Sequence, residues 1–176
     1  MKKQTFILKN HHQEKREIKV QAKLEIEKKT IKLEFNIVGE RKNYIFPSIS
    51  PPKRANELWK ATCFELFFTS KNQKGYYEIN ISPSKQWNIY TFKGYRDFVT
   101  ETEIASNPII TMSQQKDEYT LLFESTLDEV GLTENLVFNL AVILLDSNNI
   151  RHFYAINRTL GAVDFHNREM WERAVE

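Results

Sequence analysis

The sequence predicts an all-β protein, an antiparallel β-sandwich of jelly-roll or immunoglobulin-like type carrying one or two short helical turns. Apolar residues recur at every second position through many short runs, turn-forming residues separate those runs, and almost no segment shows a helical period. At 176 residues the chain fits a single domain, 1–176, because one core of this size buries well over half of the unfolded surface.

The runs follow in order. Gln4 to Lys9 reads as a first strand and Asn10 to Arg16 as a polar loop. Ile18, Val20, Ala22, Leu24 and Ile26 alternate with polar residues, and Ile31, Leu33, Phe35 and Ile37 repeat the pattern beyond a turn at Glu27-Lys28-Lys29. That is a β-hairpin with one buried face. From Arg41 to Arg54 the pattern lapses, and Pro47, Pro51 and Pro52 forbid a central strand there. After the aromatic stretch from Glu57 to Arg96, a polar connection leads to a second hairpin, Ile109 to Ser113 and Tyr119 to Glu124. Leu127 to Leu132, with Gly131, reads as one helical turn. Leu136 to Leu145 is apolar almost throughout, as a central strand requires, and Asp146-Ser147-Asn148-Asn149 turns it into Ile150 to Ile156. The tail carries Gly161, Asp164, Phe165, His166 and Trp171.

Composition narrows the function. No apolar run approaches the roughly 20 residues that span a bilayer, so no membrane partner is expected. The start, MKKQTFILKNHHQEKRE, is basic, but its apolar part is only Phe6-Ile7-Leu8, too short for a signal peptide. Cys63 is the only cysteine; it sits in an apolar strand as an inert thiol, and with no disulfide to form, a cytoplasmic setting is expected. The net charge of +2 comes from scattered lysines, and the densest basic run, Lys9 to Arg16, includes Glu14, so no nucleic-acid partner is expected. His11, His12, His152 and His166 lack metal-ligand spacing, and only a calcium ion held by loop carboxylates stays open. Nothing in the sequence assigns an oligomeric state.

The stretch from Glu57 to Arg96 can be resolved further. Phe64, Leu66 and Phe68 alternate with Cys63, Glu65 and Phe67; Tyr77, Ile79 and Ile81 alternate with Glu78, Asn80 and Ser82. Pairing Phe67 with Glu78 and Glu65 with Asn80 gathers the first sets on a core face and leaves Glu65, Glu78 and Asn80 together on the other. A slip of one residue buries a carboxylate in the core at a cost of several kcal/mol. The next turn, around Pro83-Ser84-Lys85, leaves two outcomes. A two-residue loop closed by Pro83 and Gln86 sends Trp87 to the polar face and Tyr90 to the core; a loop one residue longer or shorter exchanges them.

At LWKATCFELFF (Leu58 to Phe68), YYEINISPSKQWNIYTFKGYR (Tyr76 to Arg96) and the late DFH (Asp164 to His166) the chain resembles the DOMON-like domains related to the family-9 carbohydrate-binding modules. The resemblance implies a β-sandwich that binds sugar or, in some relatives, haem. It implies that Trp59 is a first stacking residue with Glu65 as its polar partner, and that Trp171 supplies the second stacking ring. Haem is not expected, because Met1, Met112 and Met170 fall in no motif that matches an axial ligand.

A sugar offers apolar C–H faces and many hydroxyls, so its site needs an aromatic plane beside fixed donors and acceptors. The candidate carbohydrate-binding residues are therefore Trp59, Glu65, Glu78, Asn80, Trp87, Tyr90, Arg96 and Trp171, with Tyr95 nearby. The expected function is a non-catalytic domain that binds a saccharide or similar small polar ligand, without a cofactor. Two alternatives remain. Glu65 and Glu78 are a carboxylate pair of the kind that hydrolyses glycosides, or the chain is a protein-interaction sandwich with no small ligand; in a purely structural role Glu65 or Glu78 would pair with Arg96 or Arg151.

Overall fold

The computed structural model describes residues 3–12, 18–97, 99–127, 135–159 and 161–174. The strands are β1 (Gln4–Asn10), β2 (Ile18–Glu27), β3 (Thr30–Gly39), β4 (Lys53–Arg54), β5 (Cys63–Ser70), β6 (Tyr76–Ile81), β7 (Gln86–Phe92), β8 (Thr100–Glu101), β9 (Ile109–Gln115), β10 (Glu118–Thr126), β11 (Leu136–Leu145), β12 (Arg151–Ala155) and β13 (Glu172–Arg173). They hydrogen-bond in the order β4-β7-β6-β5-β11-β12-β1-β2-β3-β10-β9, with β8 on β7 and β13 on β11. Every pairing is antiparallel except that of β4 with β7.

This sheet curls over on itself. One half, β2-β3-β10-β9, faces the other, β7-β6-β5-β11-β12, and β1 belongs to both. Its Gln4–Leu8 segment pairs with β2, while Lys9 and Asn10 pair with β12. The alternating residues Val20, Leu24, Leu33 and Phe35 meet Phe64, Leu66, Ile79 and Leu140 in one continuous core. Phe35 lies 5.2 Å from Phe64 and Phe6 lies 5.5 Å from Phe138, ring centre to ring centre, so the halves interlock through aromatic rings. The expected all-β sandwich is the observed fold.

Departures occur where strands are too short to show a period. β4, β8 and β13 each contain two residues and lie in stretches read as loop; β4 follows Pro52 directly and forms a sheet edge, where proline's missing donor does no harm. The helical turns are 3₁₀ turns at Leu58–Lys60 and Arg168–Met170. The turn expected from Leu127 to Leu132 lies outside the described residues beyond Leu127.

The turn from β5 to β6 positions the site. Thr69 donates its hydroxyl to the carbonyl of Gly75 at 2.7 Å. A Cβ at residue 75 would stand 2.6 Å from the Phe92 carbonyl oxygen, which is part of the backbone and cannot swing aside. Gly75→Ala is expected to cost about 1–3 kcal/mol in a denaturant melt, whereas Gly161→Ala meets no atom and pays only for its left-handed backbone, φ 91°.

Candidate functional site

β5 and β6 pair as Phe67 with Glu78 and Glu65 with Asn80, the register expected from the cost of burying a carboxylate in the core. β7 then places Asn88 opposite Asn80 and Tyr90 opposite Glu78, with Trp87 opposite Ile81. On the far side of β5, β11 sets Ala141 against Glu65 and Asn139 against Phe67, and β12 sets Phe153 against Ile143. The sheet face turned away from the core thus presents Phe153, Ile143, Glu65, Phe67, Glu78, Tyr90 and Phe92 in adjoining rows. Loops rise around it. Together with Trp59, Arg96, Val99, Arg151, Val163, Phe165 and His166 these residues line a cleft of about 460 Å³.

Of the two readings of the turn after Asn80, the structure adopts the loop one residue longer, and Trp87 is corrected to the core. Ser82 accepts from the Lys85 N–H at 3.0 Å and donates to the Gln86 carbonyl at 2.8 Å. Lys85 takes a left-handed conformation, φ 69°. This is a turn followed by a left-handed residue, the usual solution for a three-residue hairpin loop. Trp87 is therefore buried in the main core with the Arg54 guanidinium 4.4 Å above its ring. Tyr90 takes the place on the cleft face, its hydroxyl donating to Asn56 Oδ1 at 2.7 Å and its ring 6.0 Å from Trp59.

Trp171 is corrected as well. It is buried beneath the cleft wall rather than in it, its ring 6.2 Å from Phe67 and 5.6 Å from Tyr76. Its indole N–H donates to the Phe165 carbonyl at 2.9 Å, and Asn139 Nδ2 donates to the same oxygen at 3.2 Å. It holds up the loop that carries Phe165. Asn80 is fully buried and works through a neighbour, donating to Glu78 Oε1 at 2.8 Å. Trp59, half-buried in the 3₁₀ turn Leu58–Lys60, stays at the cleft edge with Glu65, Glu78, Tyr90 and Arg96.

Asp164 joins the loops on two sides of the cleft. Its Oδ1 accepts from Arg96 Nη2 at 2.9 Å and from the His166 N–H at 3.1 Å, while Oδ2 accepts from the Tyr95 hydroxyl at 2.7 Å. Burial opposes its ionisation, but those donors and the Arg96 charge outweigh burial and hold the carboxyl below its usual value. So Arg96 pairs with Asp164 rather than with Glu65 or Glu78. The Arg96 backbone, in the left-handed region at φ 52°, points its N–H at the Tyr76 hydroxyl, 3.2 Å away. Tyr76 in turn contacts His166 Nδ1 at 2.7 Å. Arg151 lies along the rim, its guanidinium 5.6 Å from the Phe153 ring centre and donating to the Trp59 carbonyl.

Burial sets the charge of the floor. Desolvation, and then the neighbouring Glu78 charge, raise the Glu65 carboxyl well above the ordinary range and favour its protonated form. Desolvation lifts Glu78 to about 7, although the Asn80 amide and the Arg96 charge pull the other way. His166 is pushed down to about 4, chiefly by burial and then by Arg96. The Cys63 thiol beside Glu65 is likewise raised by burial and is unreactive. Among the described residues no group of three or more His, Cys, Asp or Glu side chains could hold a metal ion.

The fold resembles that of carbohydrate-binding modules. A proposed carbohydrate-binding protein from Bacteroides uniformis superposes with a TM-score of 0.69 at 12% identity, over 98% of this chain and 85% of its own. A family-9 carbohydrate-binding module from Caldicellulosiruptor kristjanssonii, solved with cellotriose, superposes with a TM-score of 0.50 at 13% identity, over 87% of this chain and 72% of its own. No family model and no curated protein matches the sequence.

Several cleft residues escaped the sequence reading. Phe92 lies on the same face as Glu78, so strand alternation carried to the end of β7 would have found it. Ile143 and Phe153 required knowing that β11 lies beside β5, a pairing between distant strands. Val99 and Val163 sit in loops with no period.

Glu78 binds its proton more tightly in the folded protein, at about 7, than in the unfolded chain, near 4.5. Its contribution to stability is full below about pH 4.5 and is lost as the pH rises through 7. His166, at about 4 folded against 6.5 unfolded, acts oppositely: stability falls as the pH drops from 6.5 toward 4. Glu78→Gln should therefore gain on the native protein by about 1–3 kcal/mol between pH 5 and pH 8, read as the difference between their ligand-free thermal melts.

Proposed function

We propose that this protein is a non-catalytic saccharide-binding module and that its site is the cleft beside Trp59. The observation that carries this reading is the pairing of an aromatic edge with a buried polar floor. Trp59 and Tyr90 stand over Glu65, Glu78 and His166, so a ring laid against the indole brings its hydroxyls within reach of fixed donors and acceptors. Two features support it further: the likeness of fold to a module solved with cellotriose, and side chains whose orientations are set by their own hydrogen bonds before a ligand arrives. Kinship with the DOMON-like domains, a single-domain organisation and a cytoplasmic setting complete the proposal; the last is supported by the lone buried thiol.

A thermal-shift screen against mono- and oligosaccharides should give a rise in melting temperature for at least one sugar. Trp59→Ala should then weaken binding by about ten- to a hundredfold, the loss of one stacked aromatic face, while the fold persists because the ring is only half-buried. Absence of a shift with every sugar would remove the reading and favour the protein-binding alternative. Turnover of an aryl glycoside that disappears in Glu65→Gln while binding survives would favour the glycosidase.

A further inference from the structure

We infer that Glu78 and His166 together grip one hydroxyl group of the ligand, His166 Nε2 donating to its oxygen and Glu78 Oε2 accepting its proton. The inference deepens the saccharide reading and rests on it. Glu78 is buried and His166 mostly so, their side chains 7% and 14% exposed at the base of the cleft, and His166 Nε2 stands 3.9 Å from Glu78 Oε2. That is too long for a direct hydrogen bond. An oxygen at ~2.8 Å from each atom would sit about 2 Å off the line joining them, close enough to hydrogen-bond both.

The polarity of the pair is set by its supports. Tyr76 is kept protonated by burial, which raises its hydroxyl to about 12. The hydroxyl oxygen accepts from the Arg96 N–H at 3.2 Å, so its proton goes to His166 Nδ1 at 2.7 Å. Nδ1 is then the acceptor of a neutral imidazole, and Nε2 must carry the hydrogen. Rings of Phe67, Tyr76 and Phe92, with centres 4.9, 5.7 and 5.4 Å away, stop the imidazole from turning over. On the other side, Asn80 occupies Glu78 Oε1 at 2.8 Å and leaves Oε2 to the cleft.

A donor therefore faces an acceptor across a gap that one atom can bridge. A hydroxyl satisfies both at once. An ammonium group only donates and leaves the imidazole N–H unmet; a carboxylate or ether oxygen only accepts and leaves the ionised Glu78 unmet. At side chains this buried either mismatch is penalised. The pair thus selects for a free hydroxyl at one ring position of the sugar, and Tyr76 acts as a positioning residue for His166.

The test is calorimetric titration of D-glucose, D-galactose, D-mannose and D-xylose into the native protein, followed by the monodeoxy derivatives of the sugar that binds tightest. One derivative should bind about tenfold or more weakly. In His166→Ala the penalty for that same derivative should shrink to less than about threefold, because the deleted partner no longer distinguishes the two sugars. Tyr76→Phe, which keeps the ring packing and removes only the hydroxyl, should shrink it too. In the native protein affinity should rise between pH 6 and pH 8 as Glu78 ionises, and in Glu78→Gln it should not. Equal penalties in native and variant proteins for every derivative would overturn the grip while saccharide binding stood. No binding of any of the four sugars, together with no shift for any oligosaccharide in the thermal screen, would remove both.

Discussion

The cleft depends on one pairing, Phe67 with Glu78 and Glu65 with Asn80 across β5 and β6. A strand presents alternate residues to opposite faces, so this single register divides the most aromatic part of the chain into two surfaces. Phe64, Leu66, Ile79 and Ile81 close the sandwich core. Phe67, Tyr76, Tyr90 and Phe92 form a second apolar layer on the outer face, and within it lie two carboxyls that the core could not accommodate. The same choice that keeps charge out of the core creates the polar floor of the site.

Burying two carboxyls on one face carries an electrostatic cost, which the protein limits by protonation more than by counter-charge. Burial favours the protonated form of Glu65, and Glu78 sits near its midpoint at neutral pH. The cation that acts on Glu78, Arg96, is tied to Asp164. Asp164 is consequently the clasp between the loop after β7 and the loop before the last 3₁₀ turn, and the orientation of His166 depends on it through a backbone hydrogen bond. Cleft geometry is thus carried by side chains that a ligand would not touch: Asp164, Asn80, Tyr76 and Trp171.

Much of this was legible in the sequence because alternation and the expense of burying charge are local rules. They identify the two hairpins, the apolar central strand and the division of faces in the central unit. The fate of Trp87 was not decidable by those rules, since it turned on whether Lys85 would accept a left-handed backbone, a conformation that sequence favours strongly only for glycine or asparagine. Trp171 was misplaced for a different reason. A late tryptophan matches a stacking residue by type, but its depth is set by the carbonyl of Phe165 and the rings of Phe67 and Tyr76 beneath it. The short strands β4, β8 and β13 carry no period, and the neighbours of β5 on the β11 side depend on contacts far apart in the chain.

The strand shared by the two halves bears on how the molecule assembles. β1 completes its ladder only when β12 arrives beside Lys9 and Asn10, near the other end of the chain. Until then the hairpin of β2 and β3 can hold Gln4–Leu8 on one side, but the edge that faces β12 stays open to any passing strand. Closure is a non-local event with a large loop entropy, of the kind that slows β-proteins. It also ties the half that holds the cleft to the half opposite it, because one strand carries ladder bonds to both β2 and β12 and so forms the seam at which the sheet folds over.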